Sequence, residues 1–280
     1  MPFAQDAEPS SGVWRTVAKL AIGALLTLCT FLLLLSLSAM QLTQRGPAER
    51  VLRQALLIVT EADALLDLHY DELRAQAEAD ASGPLRLPNY PLDITFTADE
   101  VRSMTREQFR DALLDRSAAL VYRSGAAALR ADPTSPEPAV FSTPGAVRVT
   151  LDALNRDTFE ILRVTTFTLG VVSAILAAAL ALVTRGYGRL AAIGLATALA
   201  AIPFMLAAVA VRYGLRVGTD AEEEYLVRAF LNLGAEVSWI AIRNGIAFSV
   251  LTAGFLLVGL GLAMWSDARG DALAPSTRPA

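Results

Sequence analysis

Four long apolar runs constrain this chain more than any other feature of its sequence. They cover residues 16–43, 161–184, 187–212 and 244–266, and a long polar segment separates the first run from the second. Each run supplies close to the roughly 20 apolar residues that a helix needs to cross a hydrocarbon core. Helices satisfy their own backbone hydrogen bonds, so such runs predict transmembrane helices in a lipid bilayer. We therefore expect an all-α polytopic membrane protein.

The distribution of charge argues against nucleic acid as a partner. Hydrophobic residues make up 54% of the chain, and charged residues are scarce within the runs and crowded between them. Residues 44–160 hold 13 Arg against 19 Asp plus Glu, which makes this segment acidic. An acidic surface disfavours phosphate backbones.

The first run also bears on processing and on disulfide chemistry. Cys29 is the only cysteine, so the sequence predicts neither an intramolecular disulfide nor a cysteine zinc site. The run is almost unbroken from Leu20 to Met40, whereas the apolar region of a signal peptide is about 7–15 residues long. We expect an uncleaved anchor.

Basic residues at the ends of the runs predict the orientation. Cytoplasmic loops are enriched in Lys and Arg, and long loops count little toward this bias. We expect residues 1–15, 185–189 and 267–280 on the cytoplasmic side of the plasma membrane. The basic residues that favour this orientation are Arg15, Lys19, Arg185, Arg189, Arg269 and Arg278, and those that oppose it are Arg45, Arg50, Arg53, Arg212 and Arg216.

On this orientation, residues 44–160 form an extracytoplasmic domain, which we predict to be helical. One helix is expected from Val51 to about Ala79, because apolar residues recur along it at spacings of four and three. This stripe consists of Val51, Ala55, Ile58, Ala62 and Leu65. Prolines then predict an extended connector, since proline fixes its own φ and restricts the residue before it. The connector contains Gly83, Pro84, Pro88 and Pro91.

Two capping boxes predict the next helices of this domain. Thr97 with Glu100 and Thr105 with Gln108 match the pattern in which side chains satisfy the first backbone donors of a helix. A short helix followed by a longer one over residues 106–129 is expected. Its apolar side is predicted to contain Phe109, Leu113 and Leu120, with Ala112 or Val121.

The remaining polar segments complete the predicted architecture. Residues 132–144 contain four prolines and are expected to form an irregular loop. Thr150 is expected to begin a helix that continues without a break into the second run. Residues 213–243 are predicted to be a second, shorter extracytoplasmic helical segment, which begins at a capping box of Thr219 with Glu222. Its apolar stripe, expected to pack on the first domain, is Leu226, Phe230, Leu233, Val237 and Ile240.

The runs themselves are poor in groups that carry proton or ion chemistry. Lys19, Arg163, Arg189, Arg212 and Arg243 lie near predicted ends, and no ionisable side chain falls at a predicted midplane. Small residues are expected to let the helices approach closely, and Pro203 is expected to bend the third. These small residues are Gly170 with Ala174, Gly194 with Ala198, and Gly254, Gly259 and Gly261.

Three local patterns invite a more specific interpretation. Residues 186–188, Gly-Tyr-Gly, are similar to the end of a potassium-channel filter, but flanking arginines would repel cations, so a turn is favoured. Asp67 and Asp71 share a helix face that His69 does not, which favours a solvated polar face over a metal site. Asp220 and the glutamates 222–224 are typical of the first turn of a helix, which we favour over a divalent cation site.

These observations leave three classes of function. The favoured one is a non-catalytic membrane protein, without cofactor or metal, whose helical outer domain binds a protein partner or ligand or assembles as a homo-oligomer. The tail 267–280 is too short to hold an output domain, which favours an accessory subunit or scaffold over a self-contained receptor. The second class is an oligomeric pore, and the third is a membrane-embedded enzyme. Hydroxyls available to a pore are Thr165, Thr166, Thr168 and Ser173.

Overall fold

The computed structural model describes residues 10–79, 83–129, 149–184, 188–221 and 225–273, and these residues are helical almost throughout. A 3-10 turn, Gly125–Ala128, follows α5, and residues 149–153 form one short helical turn. The all-α fold is thereby confirmed. The helices are α1 Ser10–Thr43, α2 Arg45–Val59, α3 Ala62–Ala79, α4 Ala98–Ser103, α5 Arg106–Ser124, α6 Arg156–Val183, α7 Gly188–Ala221 and α8 Tyr225–Leu273.

Four of these helices are long and apolar enough to cross a membrane. The candidate spans are Trp14–Thr43, Arg156–Val183, Gly188–Asp220 and Leu231–Leu262. Each contains most of one predicted apolar run, which confirms the four spans and identifies a multi-pass membrane protein by length and hydropathy. The helical segment between the first and second spans is also confirmed.

The chain divides into two compact units. The span unit comprises Met1–Ser38, Val164–Val211 and Ser238–Ala280, and the domain unit comprises Ala39–Arg163 and Arg212–Val237.

The second predicted outer segment, 213–243, is not a separate helix, because α7 extends to Ala221 and α8 begins at Tyr225.

Two apolar layers hold the span unit together. In the first layer, Leu26 of α1 is buried with Leu180 of α6 and Ala196 of α7. The second layer buries Leu34 of α1 with Ala201 and Phe204 of α7. Positions later in α1 pack on later positions of α7 and on earlier positions of α6, so α1 runs parallel to α7 and antiparallel to α6. Gly259 lies against Ala191 and Gly245 against Met205, so α8 is antiparallel to α7.

Hydrogen bonds join α1 to each of the other three spans. Thr27 Oγ1 donates to the Ala196 carbonyl of α7 at 2.9 Å, and the Ser36 and Thr166 hydroxyls lie 2.7 Å apart between α1 and α6. Asn244 of α8 donates to Ser38 Oγ at 3.0 Å. In hydrocarbon such groups need partners, so these bonds fix α1 at the centre of the hydrogen-bonded network.

Glycines bring α7 and α8 into close contact. A Cβ at Gly259 would lie 2.5 Å from the Ala191 nitrogen, and a Cβ at Gly194 would lie 2.9 Å from Leu256 Cγ. The predicted close approach is confirmed for these two glycines and holds also for Gly245, which the sequence analysis did not single out. It is wrong for Gly170, Gly254 and Gly261, where a Cβ would meet nothing within 4 Å.

The domain unit has its own buried core, built from α2 to α5, the connector and the turn at 149–153. Phe109 of α5 lies at its centre, with ring centroids 4.3 Å from Phe96 and 5.9 Å from Tyr70. Leu113 and Val121 are buried and Leu120 is half-buried, which confirms the predicted apolar side of α5. Aromatic and aliphatic burial of this kind is the main stabilising term of such a domain.

The single helix predicted over 51–79 is wrong, because the chain breaks at Thr60 and Glu61. Glu61 adopts a left-handed φ of 45°, and the Thr60 hydroxyl donates to the Leu56 carbonyl at 2.7 Å. The break rotates the two helices relative to the predicted stripe. Of the predicted stripe, Ala55 and Ala62 are buried and Val51 and Leu65 are half-buried, while the Ile58 side chain lies outside the described residues. The larger buried side chains on these two helices are instead Leu52, Leu56 and Leu66.

The connector and both capping boxes agree with the predictions. Residues 83–97 are non-helical, with paired backbone hydrogen bonds of 2.8 Å between Leu85 and Phe96. The Thr97 hydroxyl accepts from Glu100 N at 3.3 Å and Glu100 accepts from Thr97 N at 2.9 Å. Thr105 and Gln108 repeat these distances. Each capping box begins a helix and satisfies two backbone N–H donors there.

Two other predicted helix starts are wrong. The helix expected from Thr150 into the second span stops at residue 153, and Asn155 caps α6 by accepting from Thr158 N at 2.8 Å. Thr219 lies inside α7 and donates to the Leu215 carbonyl at 2.8 Å, so it does not cap a new helix. The predicted loop 132–144 and the side chains of Glu222, Leu226 and Phe230 lie outside the described residues.

Candidate functional site

An open groove lies on the domain unit between α3 and the start of α5. Its lining consists of Asp63, Thr105, Arg106, Glu107 and Arg110, and its volume is about 460 Å³. Thr105 caps α5, which places Arg106 and Glu107 in the first helical turn at the rim of the groove. The groove is therefore built from two elements whose relative position the domain core fixes.

Two ion pairs cross the groove and set the register of α3 against α5. Arg110 Nε lies 2.8 Å from Asp63 Oδ1, and Arg106 pairs with Asp67. The acidic residues are one helical turn apart on α3 and the basic ones are one turn apart on α5. Because the earlier acid pairs with the later base, the two helices run antiparallel.

The opposite flank of α5 carries the reverse charge. Arg53 of α2 pairs with Asp111 and lies 3.1 Å from Asp115. Thus α5 presents arginines to α3 and aspartates to α2. These side chains are between one third and two thirds exposed, so each pair contributes at most about 1 kcal/mol, and the apolar core supplies most of the stability.

Arg116 holds the connector against α5. Its guanidinium lies 4.4 Å from the Phe96 ring centroid, donates to the Thr95 carbonyl at 2.9 Å and pairs with Glu100. The hydrogen bond from Arg116, followed by that from the Thr97 backbone, lowers the pKa of Glu100 below its ordinary value. The folded state therefore favours the charged form of the Glu100 carboxylate.

This pKa predicts a loss of stability in acid. A carboxyl whose pKa is lower in the folded state stabilises the fold above its unfolded pKa of about 4.3, and this contribution is lost as pH falls through the lower folded value. The Glu100→Gln variant keeps an oxygen for the capping box but has no charge. We expect it to reduce the protection of α4 and α5 amides at neutral pH and to flatten the acid dependence, as measured by hydrogen exchange of the full chain.

The matched control is Glu107→Gln, which removes an exposed carboxylate from the first turn of α5. It should leave the acid dependence of α4 and α5 unchanged. An equal effect from the two variants would show that general charge repulsion, and not the contact of Glu100 with Arg116, governs this dependence.

Three tyrosines form internal hydrogen bonds that the sequence analysis missed. Tyr70 OH donates to the Met104 carbonyl at 2.9 Å, and Tyr90 OH lies 2.9 Å from Ser117 Oγ. Tyr122 OH donates at 3.2 Å to the carbonyl of Thr43, the last residue of α1. Burial raises the pKa of both Tyr90 and Tyr122. No periodic pattern marks these residues, since each partner is distant in sequence.

The polar residues considered for metal binding lie apart or have other contacts. Asp67 pairs with Arg106, and His69 Nδ1 lies 3.5 Å from Glu72. Asp71 and Asp220 are exposed, and the glutamates 222–224 lie outside the described residues. Within the described part of the chain, no three His, Cys, Asp or Glu side chains are grouped as metal ligands would be.

The hydroxyls considered for a pore do not share one environment. Thr166 is bonded to Ser36, whereas Thr165 and Thr168 are exposed on α6. The Ser173 hydroxyl is enclosed without a hydrogen-bond partner among the described residues. Residues 185–187, which contain most of the Gly-Tyr-Gly pattern, lie outside the described residues, and Gly188 is the first residue of α7.

Comparison of the chain with protein-family models, with curated proteins and with solved structures found no match.

Proposed function

We propose that this chain is a non-catalytic multi-pass membrane protein whose helical domain, residues 44–160, binds a partner as an accessory subunit, scaffold or sensor component. The observation that carries the proposal is the groove between α3 and α5. It opens beside the apolar core that packs α2 to α5, and its lining is polar.

The groove suits a polar protein surface as its partner. Its arginines and carboxylates lie side by side, so it offers both hydrogen-bond donors and acceptors within a small area. Rims of protein interfaces have this mixed polar character, and electrostatic complementarity there sets specificity and association rate. We place the domain on the extracytoplasmic side of the plasma membrane, in keeping with the basic residues of segments 1–15, 185–189 and 267–280.

One experiment tests both the groove and the orientation. On a Cys29→Ala background, a Glu107→Cys variant is treated in intact cells with a charged, membrane-impermeant maleimide that carries a photo-crosslinker. We expect labelling and, after illumination, a discrete adduct of higher mass. The matched variant is Arg123→Cys, which places the reagent on an exposed residue in the last turn of the same helix.

The outcomes separate the two parts of the proposal. An adduct from Glu107→Cys alone, lost on addition of Arg106→Glu, supports partner binding at the groove. Labelling of both variants with adducts at neither position, or at both equally, contradicts it. If both cysteines react only after cell lysis, the domain faces the cytoplasm and the proposed orientation is wrong.

A further inference from the structure

All three tryptophans of the chain lie exposed near the ends of candidate spans. Trp14 is 70% exposed at the start of the first span, and Trp239 and Trp265 are each 54% exposed on α8. Along a helix the last two are about 39 Å apart, which lies between the roughly 30 Å of a bilayer's hydrocarbon core and the roughly 40–45 Å that includes its headgroup regions. Tryptophan favours these interfaces, so the rings mark the two levels at which the span unit meets lipid headgroups.

Trp14 and Trp265 belong to the same end of the span unit. The packing of α1, α6 and α7 places the start of α1 beside the end of α6 and the start of α7. Gly259 of α8 contacts Ala191 near the start of α7, so Trp265 follows at that end. Trp239 lies at the opposite end, where Asn244 contacts Ser38.

The same end concentrates positive charge. Arg15 and Lys19 are one helical turn apart on α1, and Arg189 donates from Nε to the Thr184 carbonyl at 2.9 Å, which holds its guanidinium at the carboxyl end of α6. Among the side chains that the structure describes at this end, in 14–20, 188–190 and 264–265, none is acidic. The opposite ends of the same spans carry Arg163, Arg212 and Arg243 together with carboxylates, among them Glu160 and Glu236, so positive charge there is offset.

We propose that this end, defined by Arg15, Lys19 and Arg189 and called the basic end, binds the headgroups of anionic lipids. Long basic side chains extend to the interface while their stems remain in the apolar region. Each such residue attracts anionic headgroups across a distance limited by salt screening. The preference is a property of the span unit and does not depend on the proposed role of the groove.

Single-tryptophan proteins in vesicles test this proposal. The reporter retains Trp14, with Trp239→Phe and Trp265→Phe, and the matched control retains Trp239, with Trp14→Phe and Trp265→Phe. Each is reconstituted into phosphatidylcholine vesicles that contain the same minor fraction of brominated phosphatidylglycerol or brominated phosphatidylcholine. Bromine quenches nearby tryptophan, so the ratio of the two quenching efficiencies reports local enrichment of anionic lipid.

We expect a ratio of about two or more at Trp14 in low salt, close to one at Trp239, and a fall toward one at Trp14 in high salt. Combined Arg15→Gln, Lys19→Gln and Arg189→Gln substitutions should also bring the Trp14 ratio to one. The salt series needs no substitution of these charges, so it remains decisive if that variant fails to fold. Equal quenching by both lipids at Trp14, or an equal anionic preference at Trp239, would overturn the proposal.

Discussion

The Gly259→Ala variant is expected to lose most of its thermally stable, monodisperse form in detergent. A Cβ at this position would lie 2.5 Å from the Ala191 nitrogen and 3.1 Å from the Leu190 carbonyl carbon, so it meets backbone that cannot rotate away. The helices must separate, and overpacking of this kind costs about 1–3 kcal/mol or more. The measurement is the fraction of protein that elutes as a sharp species in size-exclusion chromatography after heating.

Two glycines on the same helix provide matched controls. A Cβ at Gly254 or at Gly261 would meet nothing within 4 Å. Because alanine favours helix over glycine by about 1 kcal/mol, Gly254→Ala and Gly261→Ala should leave the midpoint temperature unchanged or slightly higher. If Gly259→Ala behaves as these two do, α7 and α8 are not held at the distance described.

The Gly125→Ala variant is expected to destabilise the domain unit by about 3 kcal/mol or more. Gly125 ends α5 with φ 61° and ψ −154°, a region that side chains with a Cβ rarely enter. A Cβ there would also lie 2.8 Å from Asp152 Oδ1, the atom that accepts from Ala126 N at 2.7 Å. Hydrogen exchange of α5 amides in the full chain measures the loss.

Gly46→Ala is the control for replacing a helical glycine by alanine, and a double variant distinguishes backbone strain at Gly125 from the clash with Asp152. Gly46 lies in α2 with nothing within 4 Å of a Cβ, so Gly46→Ala should be neutral or stabilising by up to about 1 kcal/mol. Adding Asp152→Ala to Gly125→Ala removes the contact with Asp152 but not the backbone strain. Most of the loss should therefore remain relative to the Asp152→Ala single variant, which by itself lacks the bond from Ala126 N. Wild-type protection in Gly125→Ala would contradict the left-handed end of α5.

The sequence predicted the structure correctly where a single strong and local signal determines it. Apolar runs predicted the four spans because the bilayer sets a minimum length that few soluble helices meet. The capping boxes at Thr97 and Thr105 were confirmed because each couples two residues that lie only three positions apart. The same pattern failed at Thr219, since the apolar face of α7 continues through it and its hydroxyl bonds back to its own helix.

The sequence did not predict the two helix breaks that contain neither proline nor glycine, at Thr60–Glu61 and at Asn155. Neither Thr60 nor Glu61 is a strong breaker, and the left-handed φ at Glu61 is held by packing on both sides of the turn. Asn155 is a good N-cap residue, but the apolar residues around it suggested a continuous helix. Periodicity alone does not detect such breaks, because apolar residues recur at helical spacing on both sides of each break.

The groove was not predictable from sequence spacing. Its ion pairs join α3 to α5 across the connector, so Asp67 and Arg106 come together only after the core has placed both helices. Asp67 was noted for its place beside His69, yet the structure gives it an arginine as partner. By contrast, the solvated character of Asp71 followed from helix geometry alone.

The bonds from α1 to all three other spans have a consequence for biogenesis. Thr27, Ser36 and Ser38 leave the ribosome long before their partners on α6, α7 and α8 are made. During that interval hydroxyls of α1 can bond to its own backbone, as Thr27 does to Gly23 and Ser38 to Leu34. The network around α1 is therefore complete only once α8 has been made, because Asn244 of α8 supplies the bond to Ser38.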